Sequence, residues 1–354
     1  MQKKGKDRYI QDLGEFALIE RLAGVLGPAG QGAGQGVIRG IGDDAAVLQN
    51  SPGTRLLAAC DLLIEGVHFD LNLTPPRQLG WKALAVNLSD IAAMGGRPRW
   101  ALVSLGLKPG FTVGFVEEIY AGIAALAGMF GITVVGGDTC SSPACLVIDL
   151  CVLGEARRTE ITYRSGAHAG DYLLVTGKIG AAAAGFAYLS AEGQQKIKPE
   201  SAAELTWAQL QPQPRVKEAA VLVRSGLIGA MNDLSDGLAS ELHEIVQASG
   251  CGAQIRAERL PVSPVAVSLA RQLGADPLHW ALYGGEDYEL LFTVPGGKGS
   301  PLQLRRLSRT LEKATGTPLS VIGRVLPPAA GVTMIDSSGA TKPLSPHGYS
   351  HFEK

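Results

Sequence analysis

Hydrophobic positions in the first half of the chain alternate between helical and extended spacing. Apolar residues recur every three or four positions from Phe16 to Leu26, which predicts a helix with one buried face. Further on, the glycines at 95 and 96 and Pro98 are expected to end a helix over 79–94. We also predict a helix over 113–130 and strands around 37–41, 56–60, 101–107, 132–135 and 146–153.

The second half repeats this mixture of short apolar runs and amphipathic segments. The polar stretch 194–204 is interpreted as a surface connection. We predict strands at 172–175, 290–294 and 319–325. We predict one helix that begins at Gly180 and two that cover 214–223 and 301–315. A further helix is expected to be capped by Ser235 or Asp236 and to end at about Ser249. The pattern indicates an α/β (α+β) fold in two domains, 1–155 and 156–354.

One uncharged stretch, 119–137, is long enough to raise the question of a membrane span. It contains five glycines, follows Glu117 and Glu118, and ends at Asp138. A span needs about 20 predominantly apolar residues in one unbroken helix. We therefore predict a buried helix that stops at Gly131 and a buried strand after it, and we expect no membrane partner.

Charge and composition exclude two broad classes of protein. The chain of 354 residues has 32 Lys and Arg against 33 Asp and Glu, a formal net charge of −1. A nucleic-acid binder that relies on bulk charge would show a basic excess. A hydrophobic content of 46% also excludes intrinsic disorder of the whole chain.

The cysteines and the first residues indicate a cytoplasmic protein. The five cysteines are odd in number and none has the two-residue spacing of a zinc ribbon or a thioredoxin motif. We interpret them as cytosolic thiols. The basic start of the chain is not followed by an apolar stretch, so we expect no signal peptide.

Glycine is over-represented, at 46 residues, and part of the excess lies in the low-complexity run 27–36. We expect that run to be a mobile loop. Much of the remaining excess lies beside acidic residues, and this pairing is the main clue to function. Six short motifs carry it: Gly42-Asp43-Asp44, Cys60-Asp61, Asn87-Leu88-Ser89-Asp90, Gly136-Gly137-Asp138-Thr139, Asp233-Leu234-Ser235-Asp236-Gly237 and Gly284-Gly285-Glu286-Asp287-Tyr288.

These carboxylates, if gathered, would repel one another and would need cations to neutralise them. No His or Cys joins them at ligand spacing, so the ligand set would be all oxygen, which suits Mg²⁺ rather than Zn²⁺. The motifs therefore indicate a magnesium–nucleotide site. For any single motif the alternative is a turn or a helix cap, as at Asp236. Asp149, inside a predicted strand, is left out of the site.

Two familiar phosphate-binding patterns do not explain the motifs. The run from Gly40 to Ala45 matches the dinucleotide pattern, but two carboxylates inside that cradle would oppose the phosphates. The P-loop pattern is absent, because Gly177-Lys178 is followed by Ile179 and Gly297-Lys298 by Gly299. Phosphoryl transfer on this chain would use a different scaffold.

Read in order, the motifs resemble those of the thiamine-monophosphate kinase family, in the aminoimidazole ribonucleotide synthetase superfamily. Two long strings are specific: KALAVNLSDIAAMG from Lys82 and GGEDYEL from Gly284. The other matching segments are 14–16, 41–45, 66–69, 136–139, 162–166, 233–238 and 348–352. The resemblance covers nearly the whole chain.

The resemblance implies a two-domain fold and a homodimer paired through the N-terminal sheets. It implies ATP-dependent phosphorylation of thiamine monophosphate to thiamine diphosphate, with several Mg²⁺ ions. By motif position, the metal ligands would be Asp44, Asp61, Asp90, Asp138, Asp233 and Asp236. ATP would contact Asp44, Tyr120, Gly137, Asp138, Arg164 and Ser235, and thiamine monophosphate would contact His68, Glu286 and Tyr349. The residues expected to act in catalysis are Asp138, Arg164 and Asp233.

The chain departs from the family in two places. The residues before Asp61 are usually hydroxylic, whereas here they are Ala59 and Cys60, which leaves their backbone carbonyls as metal ligands. In the tail, Ser350, next to Tyr349, replaces an acidic residue of the family. His68 and Glu286 also have structural alternatives, as a packed turn residue and a surface carboxylate.

The implied chemistry needs neither a protein nucleophile nor a strong base. The acceptor phosphate has a second pKa of about 6 and is mostly dianionic near neutral pH, so it can attack the γ-phosphorus directly. The obstacle is repulsion between two polyanions, which metal ions and Arg164 would reduce. Two alternatives stay open: another enzyme of the superfamily with a different acceptor, or a non-catalytic nucleotide or metal sensor.

Overall fold

The computed structural model describes residues 9–10, 15–27, 36–39, 46–190 and 198–348. The chain divides into two compact units, the first from residues up to 91 with 97–158, and the second from residues 92–96 with those from 159 onward. The division after residue 158 lies three residues beyond the predicted boundary at 155.

The first unit contains six strands and three helices among the described residues. The strands are β1 (Val37–Arg39), β2 (Val47–Leu48), β3 (Thr54–Ile64), β4 (Arg97–Leu107), β5 (Thr133–Ser141) and β6 (Val147–Arg157); the helices are α1 (Glu15–Leu26), α2 (Pro76–Ala93) and α3 (Val113–Phe130). Four of the strands form a sheet in the order β3-β6-β4-β5, with β4 and β5 parallel and the other pairs antiparallel. A short antiparallel pair, β1 and β2, stands apart from this sheet.

The two faces of this sheet differ in burial. Ile148, Leu150 and Val152, which alternate along β6, are fully buried. On β3, Leu56 and Leu62 lie opposite Glu155 and Asp149 of β6 and are 55% and 46% exposed. Because side chains alternate along a strand, these leucines belong to the other face. The sheet therefore has one packed face and one open apolar face.

Helix α3 supplies much of the core of the first unit. It is capped by the Thr112 side chain, which accepts from the Phe115 amide, and it ends at Gly131 with a φ of 67°. Among the described residues it is the helix that has the length and apolar composition to cross a membrane, yet half of it is buried. An ion pair of 2.5 Å joins its Glu117 to Arg21 of α1. These features are those of a core helix, as predicted.

The second unit is built on a seven-stranded sheet in the order β13-β12-β9-β11-β7-β10-β8, in which β9 and β12 are parallel and the other pairs antiparallel. Its core includes Leu173, Leu242 and Leu291. The strands are β7 (Tyr172–Thr176), β8 (Met231–Asp233), β9 (Gly252–Arg256), β10 (Leu290–Val294), β11 (Leu319–Leu326), β12 (Val332–Ile335) and β13 (Thr341–Pro343). The helices are α4 (Ala181–Leu189), α5 (Pro199–Leu210), α6 (Val216–Arg224), α7 (Leu238–Ser249), α8 (Pro264–Leu273), α9 (Pro277–Tyr283) and α10 (Pro301–Thr315).

Most predicted elements are present, and the α/β (α+β) class is confirmed; α3, β10 and α10 have the predicted bounds. Three predictions were wrong in detail. Strand β5 continues to Ser141, because its pairing with β4 outlasts its apolar run. Residues 199–204 belong to helix α5 and are not a connection. The N-cap of α7 is Gly237, not Ser235 or Asp236. Residues 28–35 of the glycine-rich run lie outside the described residues.

Candidate active site

Two of the predicted metal ligands are in contact in the first unit. Asp61 lies on β3 and Asp90 on α2, and their carboxyl groups share a hydrogen bond. Burial raises the pKa of Asp61; the bond with Asp90 opposes this shift, and the charge of Asp149 adds to it. Adjacent carboxyl groups of this kind resist simultaneous ionisation unless a cation neutralises them.

The residues before Asp61 alternate in direction along β3. The Cys60 thiol donates to Asp149 at 3.2 Å, and burial followed by this bond raises the pKa of the thiol to about 11. A protonated thiol is not a metal ligand. The prediction for Ala59 and Cys60 therefore concerns their backbone carbonyls alone. Asp149, excluded from the sequence, proves to lie beside this segment, because the alternation of β6 brings it to the face of Cys60.

Asp138 lies within β5, opposite Ser104 of β4, and not after the end of a strand as predicted. Its side chain is exposed, and one carboxylate oxygen accepts from the Thr139 amide at 2.9 Å. Gly137 has a φ of 153°, and a Cβ there would lie 1.8 Å from the Val103 carbonyl oxygen. Close approach of β4 thus already requires glycine at this position.

Tyr120 and His68 are also placed in the first unit. Tyr120 projects from α3 and is buried, and burial raises the pKa of its hydroxyl, which stays protonated. His68 follows a turn with Gly66 at a φ of 83°, and its Nδ1 accepts from the Ile64 amide at 3.0 Å. In neutral His68 the proton is therefore on Nε2, which can donate to an anion.

In the second unit, the predicted Asp233, Ser235 and Asp236 follow one another at the end of β8. Asp233 is buried, opposite Leu290 of β10. The Ser235 hydroxyl and the Asp236 amide donate to Glu241 of α7 at 3.1 and 3.2 Å. Glu241 therefore holds the loop that carries the predicted ligands. Sequence reasoning missed it, although an acidic residue in the first turn after such a loop is a usable signal.

Negative charge is concentrated around this loop. Burial, and then the charges of Asp233 and Glu244, raise the pKa of Glu241 to about 9. The Asn232 amide donates to Glu241 and, at 3.1 Å, to Glu244. Arg164, predicted to bind nucleotide, contacts Glu244 at 3.0 Å and donates to Asn232 Oδ1 at 3.1 Å. Arg164 is thus linked to the predicted metal ligands through Asn232.

The 284–289 loop carries the predicted substrate contact, Glu286. Its backbone is unusual, because Glu286 and Tyr288 have φ values of 61° and 50°. Their amides donate to the carbonyl oxygens of Ser235 and Leu234 at 2.6 and 2.9 Å. The 284–289 loop is therefore joined directly to the loop that follows β8.

The other two acids of the loop have structural partners. Asp287 is half-buried and accepts from the Gly180 and Ala182 amides at 2.6 and 3.3 Å, at the start of α4. Glu289 binds the Arg215 guanidinium through both oxygens, at 2.7 and 2.6 Å. Asp287 and Glu289 thus support the fold, Asp287 at the start of α4 and Glu289 through Arg215.

A cleft of about 440 Å³ in the second unit is lined by Asp287 and Glu289, with Lys178, Trp207 and Arg215. The predicted site residues of this unit (164, 233, 235, 236 and 286) are not among its lining. Its carboxylates already bind α4 and Arg215, so we do not assign the chemistry to this cleft.

The structure places the predicted ligands in two separate sets, Asp61, Asp90 and Asp138 in the first unit and Asp233 and Asp236 in the second. Asp44 and Tyr349 lie outside the described residues. Within the part of the chain that the structure describes, no three His, Cys, Asp or Glu side chains form a complete metal-binding group.

Comparison with known proteins agrees with the resemblance drawn from the motifs. The chain matches the AIR synthase related protein family, with the N-terminal domain over residues 42–156 and the C-terminal domain over 168–335. The thiamine-monophosphate kinase of Bacillus subtilis is 35% identical, covering 89% of this chain and 93% of the relative.

Solved structures give the same result. The crystal structure of thiamine-monophosphate kinase from Stenotrophomonas maltophilia has a TM-score of 0.78 and 33% identity, over 94% of this chain and 98% of that one. AaThiL complexed with AMPPCP and TMP has a TM-score of 0.73 and 31% identity, over 97% and 98%. The expected two-domain fold is confirmed, and the chain belongs to the thiamine-monophosphate kinase family of AIR synthase related proteins.

Proposed function

We propose that this chain transfers the γ-phosphoryl group of ATP to thiamine monophosphate, giving thiamine diphosphate and ADP. The observation that carries the proposal is the match to thiamine-monophosphate kinases over most of both chains. A relative of this family has been solved with AMPPCP and TMP, which supports the choice of donor and acceptor. The specific motifs of the family lie on both units of the chain.

The donor set of the chain fits several Mg²⁺ ions. The proposed ligands are carboxylates and backbone carbonyls, which are the oxygen donors that Mg²⁺ prefers. The contact of Asp61 with Asp90 in the first unit, and the raised pKa of Glu241 near Asp233 in the second, support this proposal, because a bound cation stabilises carboxylates that lie close together. Bound Mg²⁺ would supply charge neutralisation of the phosphates. Its ligands would be Asp44, Ala59, Cys60, Asp61, Asp90, Asp138, Asp233 and Asp236, with Ala59 and Cys60 binding through their carbonyls.

The residues of the chain bind and orient the two polyanions. We assign ATP to Asp44, Tyr120, Gly137, Asp138, Arg164 and Ser235, and thiamine monophosphate to His68, Glu286 and Tyr349. Arg164 offers a permanent positive charge to the transferred group, and Asn232 and Glu244 hold its side chain. The acceptor needs no general base, because its phosphate is mostly ionised near neutral pH. Transfer is therefore direct and in line, with Asp138, Arg164 and Asp233 as the catalytic residues.

A homodimer formed through the first unit accompanies this function. The open face of the sheet carries Leu56 and Leu62, which are 55% and 46% exposed. Exposed apolar side chains on the face of a sheet are stabilised when the same face of a second copy of the chain covers them. We also propose a cytoplasmic location, in keeping with five free thiols.

A coupled assay of ADP release tests the activity. Purified protein with Mg-ATP should release ADP with thiamine monophosphate and form thiamine diphosphate in equal amount. Free thiamine, a ribonucleotide and selenide serve as alternative acceptors. Folded protein that forms no thiamine diphosphate at millimolar Mg-ATP would contradict the proposal, and turnover of another acceptor would assign the chain elsewhere in the superfamily.

A further inference from the structure

A buried glutamine outside the family motifs contacts Glu286, the carboxylate that we propose binds thiamine monophosphate. Gln209, near the end of α5, is 7% exposed, and its Nε2 donates to Glu286 Oε2 at 2.6 Å. We infer that Gln209 is a positioning residue that sets the direction of the Glu286 carboxylate and so determines affinity for the cationic thiazolium ring of the acceptor. This inference rests on the proposed function.

Gln209 is itself held firmly by the neighbouring helix. Gly185 of α4 lies so close to α5 that a Cβ there would be 2.2 Å from the Leu205 carbonyl oxygen and 3.0 Å from the Gln209 Cβ. The N-terminus of the same helix α4 binds Asp287. Helices α4 and α5 therefore fix two consecutive residues of the loop, Asp287 through backbone amides and Glu286 through a side-chain amide.

The backbone of the loop also indicates a functional constraint. Non-glycine residues with left-handed φ are strained, and such residues cluster at ligand sites. Glu286 and Tyr288 both have this conformation, held by hydrogen bonds from their amides to the loop after β8. The strained backbone sets the direction in which the residues of this loop project, and the hydrogen bond from Gln209 fixes the Glu286 side chain in that direction.

The choice of an amide preserves the negative charge of Glu286. Lys or Arg at position 209 would neutralise the carboxylate, whereas an amide donates a hydrogen bond and adds no charge. Gln209 Oε1 is buried without a hydrogen-bond partner among the described residues. An unpaired buried acceptor is unfavourable. The residue is therefore explained by its Nε2 contact and not by packing, which an apolar side chain would serve better.

Kinetic and binding measurements on Gln209→Met test the inference. Met keeps the length of the side chain and removes the donor. We expect KM and Kd for thiamine monophosphate to rise about tenfold or more, while kcat and the KM for ATP change less than about threefold. Gln209→Asn, which keeps the amide but shortens it by one methylene, should show the same selective loss. Gln213→Met, at an exposed glutamine of the same region, is the matched control and should leave all values unchanged.

The outcomes separate this inference from the proposed function. Unchanged KM and Kd in a folded Gln209→Met or Gln209→Asn variant would overturn the inference alone. A parallel change in kcat, both KM values and melting temperature would assign Gln209 to packing and overturn it as well. Calorimetric binding of thiamine monophosphate does not require turnover, so a wild-type protein that binds it without reaction would contradict the proposed function while still testing Gln209.

Discussion

The two units present their acidic residues in different ways. In the first, Asp61 and Asp138 lie on regular strands, and Asp90 lies on a helix. In the second, Asp236 and Glu286 lie on two irregular loops that are joined by backbone hydrogen bonds, and Glu241 holds the loop of Asp236. The strands fix the direction of a carboxylate through the backbone alone, whereas the loops need supporting side chains. We therefore expect substitutions in the first unit to change chemistry alone, and those in the second to change stability as well.

Asp138→Asn should have the largest effect on turnover and little effect on folding. The change keeps the shape of an exposed side chain and removes one negative charge from the proposed site. A lost electrostatic contact in the transition state is worth about 2.7 kcal/mol or more, so turnover at saturating Mg²⁺ should fall at least ~10²-fold. The melting temperature should be unchanged. Near-normal turnover would remove Asp138 from the site.

Glu241→Ala should lower both activity and stability. It removes the acceptor of the Ser235 hydroxyl, the Asp236 amide and the Asn232 amide. Each buried donor left unpaired costs about 1–3 kcal/mol, which corresponds to a fall of about 5 °C or more in melting temperature. We also expect turnover to fall about tenfold. A variant with unchanged melting temperature would show that the loop does not depend on Glu241, and the contrast between the units would be lost.

Asp287 should make stability depend on pH. Burial, and then the charge of Glu289, raise its pKa from 3.8 to about 7, against amide hydrogen bonds from Gly180 and Ala182 that lower it. Between these values the folded chain holds a proton that the unfolded chain releases, so this residue's contribution to stability falls as pH rises from about 4 through 7. Asp287→Asn removes that dependence.

The measurement is the melting temperature of both proteins from pH 5 to pH 8. The value for the wild type should fall relative to Asp287→Asn with rising pH and level off above pH 7. Parallel curves would contradict a protonated Asp287 carboxyl in the folded chain.

Cys60→Ser should have the smallest effect, with turnover within about twofold of the wild type. The thiol donates a hydrogen bond to Asp149, and both side chains lie on the face of the sheet opposite to that of Asp61. Only the backbone carbonyl of Cys60 is a proposed metal ligand. A serine hydroxyl can donate to Asp149 in the same way. Steady-state turnover across Mg²⁺ concentrations checks this. A large loss of activity, or a shift in the Mg²⁺ requirement, would mean that the side chain itself takes part.

The same contrast explains what the sequence could predict. Apolar periodicity located α3, β10 and α10 with their bounds, and the family motifs identified Asp61, Asp138 and Glu286 as candidates. Periodicity could not predict that β5 continues through 136–141, because that pairing depends on backbone hydrogen bonds to β4. Nor could it identify Gln209, whose contact with Glu286 joins residues 77 positions apart. Glu241 lies only six residues after Ser235, and its place in the first turn of α7 was a signal that periodicity alone does not use.

The proposed reaction moves a phosphoryl group from ATP to thiamine monophosphate. Incubation with γ-³²P-labelled ATP, Mg²⁺ and thiamine monophosphate, followed by separation of the products, tests it most directly. We expect label in the terminal phosphate of thiamine diphosphate, in equal amount to ADP, and at a rate at least ~10²-fold lower in Asp138→Asn. Label found only in inorganic phosphate or on the protein, with no labelled thiamine diphosphate, would contradict it.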